Sequence, residues 1–373
     1  MPLLAIVWAL VLAAGSASAQ VGEPPRVILF VVDGAGVAHW SAGYLAADSM
    51  GRPLAVASLP VVGLLDSRNV YRLMPESASS ATALATGVRA YYDAVGVGLD
   101  SLPRETVLEA AEAAGRSTGV ITTTTLVDAT PAAFLAHVPS RRGSVNQSSI
   151  AEQIAAKQVE VVMGDGRGWF DGTLRPDSAN LLDSIRRRYV VVENGDELRA
   201  LDPDTVDALF GFFRSDAGRD PAERDPSLAE MTRAALTILD RDPDGFFLLV
   251  ENEHTDHSAH ENRPFATIAG EVLALDDAVR VALAYREHHS DTLIVVLADH
   301  ETGGMSLMPT ASGELELRYA WTNHTLELVP LFAAGPGAER FGGLHRNDEI
   351  GRLLLDAVPP DRGTATAPPA ERD

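Results

Sequence analysis

Apolar and polar positions along the chain follow two rhythms. Arg26–Val32 is a nearly continuous β-branched apolar run, and it ends at the turn residues Asp33, Gly34, Ala35 and Gly36. Such a run predicts a buried parallel strand. Residues 119–123, 159–163, 246–250 and 292–298 carry similar runs and read as further strands. Between them lie patterns of helical period at residues 104–114, 148–157, 227–239 and from 264 to about 288. This order predicts an α/β fold, with one mostly parallel central sheet and helices on both faces. Ligands of such sheets gather at the carboxyl ends of the strands. The residues that follow each strand are therefore the place to look for chemistry.

The ends of the chain differ from its body. Residues 3–14 form a short apolar run, and Ala17, Ser18 and Ala19 offer a small-x-small cleavage site before Gln20. This predicts a signal peptide over residues 1–19 and a periplasmic or secreted protein, although no Lys or Arg precedes the run. The run is short for a bilayer span, so an uncleaved anchor is the weaker alternative. No later segment is a membrane-span candidate. Residues 20–358 are expected to form the catalytic domain. Residues 359–373, rich in Pro, Ala and charge, are expected to be disordered.

Charge narrows the partners. The chain has 52 acidic and 30 basic residues, a formal net charge of −22. Nucleic-acid backbones and anionic membranes are repelled by such a surface and are set aside as main partners. A phosphate substrate would be repelled as well, unless cations supply local positive charge. The chain has no cysteine, which excludes disulfides and thiolate chemistry.

Carboxylates and imidazoles recur beside the predicted strands. Asp33 follows the first. Glu251 closes another and opens a stretch that holds Asp256 and His260. Asp299 and His300 follow residues 292–298, and His324 lies just before the apolar stretch 328–334. Eight of the ten histidines fall after residue 250. Convergence of these groups on one sheet edge would make a zinc site, and an oxygen-only set would suit magnesium. Taken singly, each has a plainer reading: an Asp after a strand caps a turn, and His254, His257 and His260 can share a solvated helix face. Ser77 follows Pro75 at the start of a small-residue helix running to Thr86. It is either an ordinary N-cap or a nucleophile placed where helix N–H groups favour anions. Arg141 follows Asp128 and Thr130, and is either a phosphate clamp or one of a solvated arginine pair with Arg142.

Taken together and in this order, these stretches resemble the alkaline phosphatase family. The resemblance rests on Val31 to Gly36, Glu76 to Thr82, Asp128 to Pro131 with Arg141, Glu251 with Asp256 and His260, Ala298 to Gly304, and His324 with Thr325. It implies hydrolysis of phosphate monoesters through a phosphoserine at two Zn2+ and one Mg2+. Asp256, His260 and His324 match the ligands of the first zinc. Asp33, Asp299 and His300 match those of the second, with Asp33 bridging to magnesium. Thr130 and Glu251 match the remaining magnesium ligands, and Asp128 a residue that in some members holds magnesium-bound water. Ser77 matches the nucleophile and Arg141 the phosphate clamp. The expected partners are small phosphate monoesters, and a homodimer is left open. Two positions depart from the pattern. Glu76 stands where the family commonly has Asp, which affects how Arg141 is posed. His257 occupies a position where members differ between Lys and His. The short stretch from Glu301 to Asn323 implies a small or absent crown insertion. The rival readings are a phosphodiesterase or sulfatase on the same scaffold, and an inactive zinc- or phosphate-binding protein.

Overall fold

Val27 to Val32 are fully buried, so the strand they form needs a neighbour on each edge and a helix layer on each face. The computed structural model, which describes residues 26–214, 221–313 and 315–358, supplies both. The predicted signal segment and tail lie outside the described residues. The strands are β1 (Arg26–Val32), β2 (Val61–Asp66), β3 (Ser117–Thr125), β4 (Val161–Asp165), β5 (Val190–Val192) and β6 (Leu209–Phe212). They continue with β7 (Phe246–Asn252), β8 (Thr292–Leu297), β9 (Met305–Pro309), β10 (Leu315–Tyr319), β11 (Val329–Ala334) and β12 (Gly343–Arg346). Ten of them make one sheet in the order β12-β2-β11-β8-β1-β7-β3-β4-β6-β5, and β9 and β10 form a separate two-stranded hairpin. The predicted α/β sheet class is therefore observed.

The strands foreseen from apolar runs occupy the middle of the sheet. Those not foreseen lie towards its margins. β2 alternates exposed and buried positions, and β5 is three residues long. Within the sheet only β11 runs against the others, pairing antiparallel with both β8 and β2. This reversal has a consequence for the site. The residues that enter β11, rather than those that leave it, lie at the carboxyl edge of its parallel neighbours. His324 therefore reaches the same edge as Asp33 and Asp299.

Two groups of helices cover the sheet. Val37–Ser49, Leu228–Leu239 and Phe265–His288 pack together, and so do Ser77–Thr86, Val107–Ala113, Ala129–Leu135 and Asn347–Ala357. Helix Leu228–Leu239 starts at a Ser227/Glu230 capping box and buries Leu228, Met231, Ala235, Leu236 and Leu239, the stripe that its sequence period predicts. Every residue of helix Ser77–Thr86 is buried. Its mostly small side chains let a neighbour approach closely. Gly351 of the neighbouring helix comes so close that an added Cβ would lie 2.2 Å from the Ala83 carbonyl oxygen. Between Glu301 and Asn323 the chain builds little more than the β9–β10 hairpin, in keeping with the small insertion expected there. Among the described residues, no helix is long and apolar enough to cross a membrane.

One ion cluster ties the helix layer together. Glu109 completes the capping box of Val107–Ala113 and accepts hydrogen bonds from His137 Nε2 (2.9 Å) and Lys157 Nζ (2.6 Å). Burial raises the Glu109 pKa, but these hydrogen bonds and the Thr106 N–H outweigh it and bring it from 4.5 to about 2. A depressed carboxyl pKa stabilises the fold above 4.5, and that contribution is lost as pH falls towards 2. Glu109→Gln should therefore flatten the acid limb of the stability curve between pH 4.5 and 2, as measured by denaturant unfolding across that range.

Candidate functional site

Each candidate side chain is delivered by a strand end or by the loop after it. Asp33 follows β1, and Glu251 lies inside β7, opposite Val31 and Thr122. Asp128 and Thr130 open the helix that follows β3. Asp256 and His260 sit on helix His254–His260 after β7, and Asp299 and His300 follow β8. All the candidates except Asp299 and His300 line one cavity of about 110 Å³, and those two lie fully buried beside it. The wall includes two further residues, Ala129 and Glu253. A far larger groove of about 1350 Å³, along helices Leu228–Leu239 and Phe265–His288, contains none of the candidates.

Gly34 makes this crowding possible. It adopts φ +73°, and an added Cβ would lie 2.8 Å from Asp256 atoms. Its N–H donates to Asp299 Oδ1 at 3.2 Å, which links the ends of β1 and β8. A side chain here would meet both strain and a clash.

The histidine geometry fits a cation. His260 Nδ1 lies 2.8 Å from the Thr322 carbonyl oxygen, and His324 Nδ1 lies 2.9 Å from that of Pro75. A carbonyl only accepts, so each Nδ1 carries the proton. The two Nε2 atoms then face each other at 3.2 Å, with Asp256 carboxylate oxygens 3.2 Å from the first and 3.7 Å from the second. Two imidazole lone pairs that close repel unless a proton or a metal ion lies between them. In the protein alone a proton takes that place: the hydrogen bond to Asp256 lifts the His260 pKa to about 9. Asp256 itself is held below its ordinary value. Burial opposes this, but the His260 hydrogen bond and the charges of His300 and His324 prevail.

The second group lies beside the first. His300 Nε2 is 3.3 Å from Asp299 Oδ2, 3.5 Å from Asp33 Oδ1 and 3.1 Å from Ser77 Oγ. Asp33 Oδ1 and Asp299 Oδ2 are buried and accept no hydrogen bond. Burial and mutual repulsion push Asp33 well above the carboxylate range, and Asp299 to about 7. Burial also carries Glu251 to about 8, even though Thr122 Oγ1 donates to it at 2.5 Å. Buried carboxylates shifted upward together are groups whose charged forms a bound cation would favour. The donor sets Asp256/His300/His324 and Asp33/Asp299/His300 each bring their ligand atoms within 4.8 Å of one another.

The helix start at Ser77 differs from the N-cap reading. The N-cap is Glu76, whose carboxylate accepts from Ala78 N (2.8 Å) and Ser79 N (3.0 Å), and Ser77 is the first helical residue. Ser77 therefore is not the cap. The helix N-terminus is also not a free anion site, because a carboxylate already occupies two of its donors. Ser77 is left with its hydroxyl at the cavity wall, 7% exposed.

Arg141 is not a solvated arginine. Its Nη1 donates to Asp128 Oδ1 at 2.6 Å, and its Nε lies 3.4 Å from Glu76 Oε1 and 3.9 Å from Asp93 Oδ1. The longer Glu76 thus reaches the arginine while it caps the helix. Arg142 turns outward to Asp93 and Tyr92. His257 is also directed away from the cavity, towards Glu261. Three residues of the site's surroundings were not found in the sequence: Glu253 on the cavity wall, Thr302, whose hydroxyl bonds to Asp256, and Glu301. Buried Glu301 accepts from the Gly304 and Met305 N–H groups and from the Thr325 hydroxyl, and so fixes the loop that carries His324. Each lies within two residues of a candidate ligand, which was the available signal.

The family profile described as "Alkaline phosphatase" matches residues 25–320. The chain belongs to the alkaline phosphatase family. It is 32% identical over 382 residues to the repressible alkaline phosphatase of Saccharomyces cerevisiae, covering 91% of this chain and 63% of that one. It is 30% identical to alkaline phosphatase H of Pseudomonas aeruginosa, over 86% of this chain and 82% of that one. The chain thus spans just under two thirds of the yeast relative's length. Alkaline phosphatase from the Antarctic bacterium TAB5 superposes with a TM-score of 0.81 at 26% identity, over 90% of this chain and 98% of that one. A variant of that Antarctic enzyme is described with Mg bound in its M3 site.

The double role of Glu76 is open to test. Glu76→Ala should cost about 1 kcal/mol through the lost cap, with more from the Arg141 guanidinium left short of a partner. Denaturant midpoints of the two proteins, compared in the presence of zinc, measure it.

Proposed function

We propose that this protein hydrolyses phosphate monoesters to an alcohol and inorganic phosphate, with Ser77 as nucleophile. The observation that carries the reading is the Ser77 hydroxyl, set at a cavity between a guanidinium and two histidine–carboxylate donor sets. Asp256, His260 and His324 would hold one zinc, and Asp33, Asp299 and His300 a second. Asp33, Thr130 and Glu251, with Asp128 nearby, would hold magnesium, since these residues offer only oxygen. When bound, these cations supply the positive charge that lowers the serine pKa and stabilises the leaving alkoxide.

The chain's own residues do the rest. Arg141, anchored on Asp128 and Glu76, presents a planar fork to the non-bridging oxygens of the phosphoryl group. Ser77 Oγ gives up its proton and forms the new O–P bond as the ester O–P bond breaks, and the departing alcohol takes up one proton through solvent, so the step balances. Water then attacks the phosphoserine: its O–P bond forms as the Ser77 O–P bond breaks, and one water proton restores the Ser77 hydroxyl. Phosphoryl transfer of this kind depends mainly on placement and charge rather than on acid–base groups. A doubly charged monoester suits the arginine and the many cation donors better than a diester or sulfate would. We further propose export to the periplasm or medium, on the strength of the apolar run at residues 3–14 and the small residues before Gln20. N-terminal sequencing of the protein from its host should begin at or near Gln20.

Ser77→Ala decides the nucleophile. Metal content and folding should be retained, because Glu76 rather than Ser77 caps the helix. Hydrolysis of an aryl phosphate should fall in kcat far more than in KM, since the lost group acts in the transition state. Wild-type protein should also transfer phosphate to Tris, and the variant should not. Undiminished kcat and undiminished transfer in a folded, zinc-loaded variant would sink the assignment. Treatment with a chelator should abolish wild-type hydrolysis, and zinc with magnesium should restore it.

A further inference from the structure

Glu253 has no structural duty that accounts for its position. It stands at the N-cap of helix His254–His260, yet its side chain makes no capping hydrogen bond. The backbone is anchored separately, its N–H donating to Thr123 Oγ1 at 3.1 Å. The carboxylate is mostly buried, with 17% of the side chain exposed, and the cation nearest to it is His254 Nε2 at 3.7 Å. At that distance the imidazole makes no hydrogen bond to the carboxylate. The carboxylate instead lines the cavity that Asp33, Asp128, Thr130 and Glu251 also line.

The same cavity wall has other groups without partners. Thr130 Oγ1 and Asp33 Oδ1 are buried there and make no formed hydrogen bond. Thr130 and Asp33 are 1% and 2% exposed. A carboxylate brought to this wall in a protein without a cation costs stability, because Asp128, Asp256 and Glu251 repel it. A group kept at such a cost, beside orphaned oxygen donors, belongs to a ligand of opposite charge.

We propose that Glu253 is a further carboxylate for the hard divalent cation at the Asp128, Thr130 and Glu251 corner of the cavity, and that it raises the affinity of that corner for Mg2+. The proposal rests on the metal-dependent phosphatase reading and adds to it a residue outside the ligand set that the sequence resemblance implied. The chemistry is straightforward. Hard cations take oxygen ligands, and their affinity rises with the ligand charge brought to the site. Glu253 adds one charge and two oxygens whether it contacts the ion or its water. The zinc donors His260, His324, Asp299 and His300 do not involve it.

The test uses the full-length, zinc-loaded protein with MgCl2 as the titrant. Isothermal titration of Glu253→Gln should show Mg2+ bound about 10–100-fold more weakly than by wild type. Its zinc content should equal that of wild type. Melting supplies an independent readout. In chelator, Glu253→Gln should melt at or above the wild-type temperature, because a repelling charge is gone, while the rise produced by Mg2+ should shrink. A merely structural role for Glu253 would lower both temperatures. Glu261→Gln is the control for long-range charge: Glu261 sits just past the same helix, is paired with Arg263, and is solvent-screened, so Mg2+ affinity should stay within about twofold. Unchanged Mg2+ affinity in Glu253→Gln, an equal loss in Glu261→Gln, or a lowered melting temperature in chelator would overturn the proposal. A wild-type protein that takes up no zinc and hydrolyses no aryl phosphate would instead overturn the phosphatase reading beneath it.

Discussion

Negative charge without water is the constraint on which the site and its surroundings depend. Asp33, Glu251, Asp256 and Asp299 are all nearly or fully buried at one edge of one sheet. Ionised carboxylates in such surroundings are costly unless paired. The protein meets part of this cost with hydrogen bonds, from His260 and Thr302 to Asp256, from Thr122 to Glu251 and from the Gly34 N–H to Asp299. Elsewhere it leaves carboxylate oxygens without donors and their pKa values raised. The fold around them is correspondingly rigid. Gly34 brings β1 against Asp256, Ser80 Oγ donates to the Asp299 carbonyl oxygen at 2.8 Å, and Glu301 clamps the loop that bears His324. These ties hold the repelling groups together at one sheet edge.

Much of this was legible in the sequence, for identifiable reasons. Strands β1, β7 and β8 are buried on both faces, so their sequences must be continuous apolar runs, and the residues that follow them stand out by contrast. The sheet margins were less legible. β2 pairs on both sides, but with exposed positions at Val62 and Leu64 its pattern resembles a loop as much as a strand. The reversal of β11 was not legible at all. No local pattern records strand direction, yet that direction is what brings His324 to the edge where the other ligands are. Glu253 escaped notice for a different reason. Glu251 and Asp256 on either side of it matched ligand positions of the family, and nothing in the sequence alone separates Glu253 from the chain's other acidic residues. Only the closed cavity distinguishes it from the many exposed carboxylates of a chain with net charge −22.

On the proposed reading, Arg141 is how an acidic protein receives an anion. Its guanidinium is surrounded by Asp128, Glu76 and Asp93, so its charge is largely balanced at rest. These carboxylates fix its plane and direction, which matters more for a bidentate clamp than bare charge does. Long-range attraction of a phosphate would then fall to bound cations, because the surface potential of the chain opposes approach. Positioning and attraction are thus assigned to different groups. The same division explains why the arginine can be tied to three acidic neighbours without losing its use.

Glu76 carries the argument one step further. A helix N-terminus normally offers its free N–H groups to an anion. Here a carboxylate from the preceding residue already takes those of Ala78 and Ser79, and its Oε2 also accepts from Asp93 N at 3.0 Å. The helix dipole is therefore used to hold Glu76, and Glu76 in turn lies against Arg141. The helix end is thereby committed to orienting Arg141, the group proposed to bind phosphate. Ser77, one residue further on, is fixed by the first helical turn without being part of its cap. Its hydroxyl needs no partner in the helix and is free for chemistry at the cavity wall. A serine that capped its own helix would have its oxygen committed to a backbone N–H, and could not attack without giving up that bond.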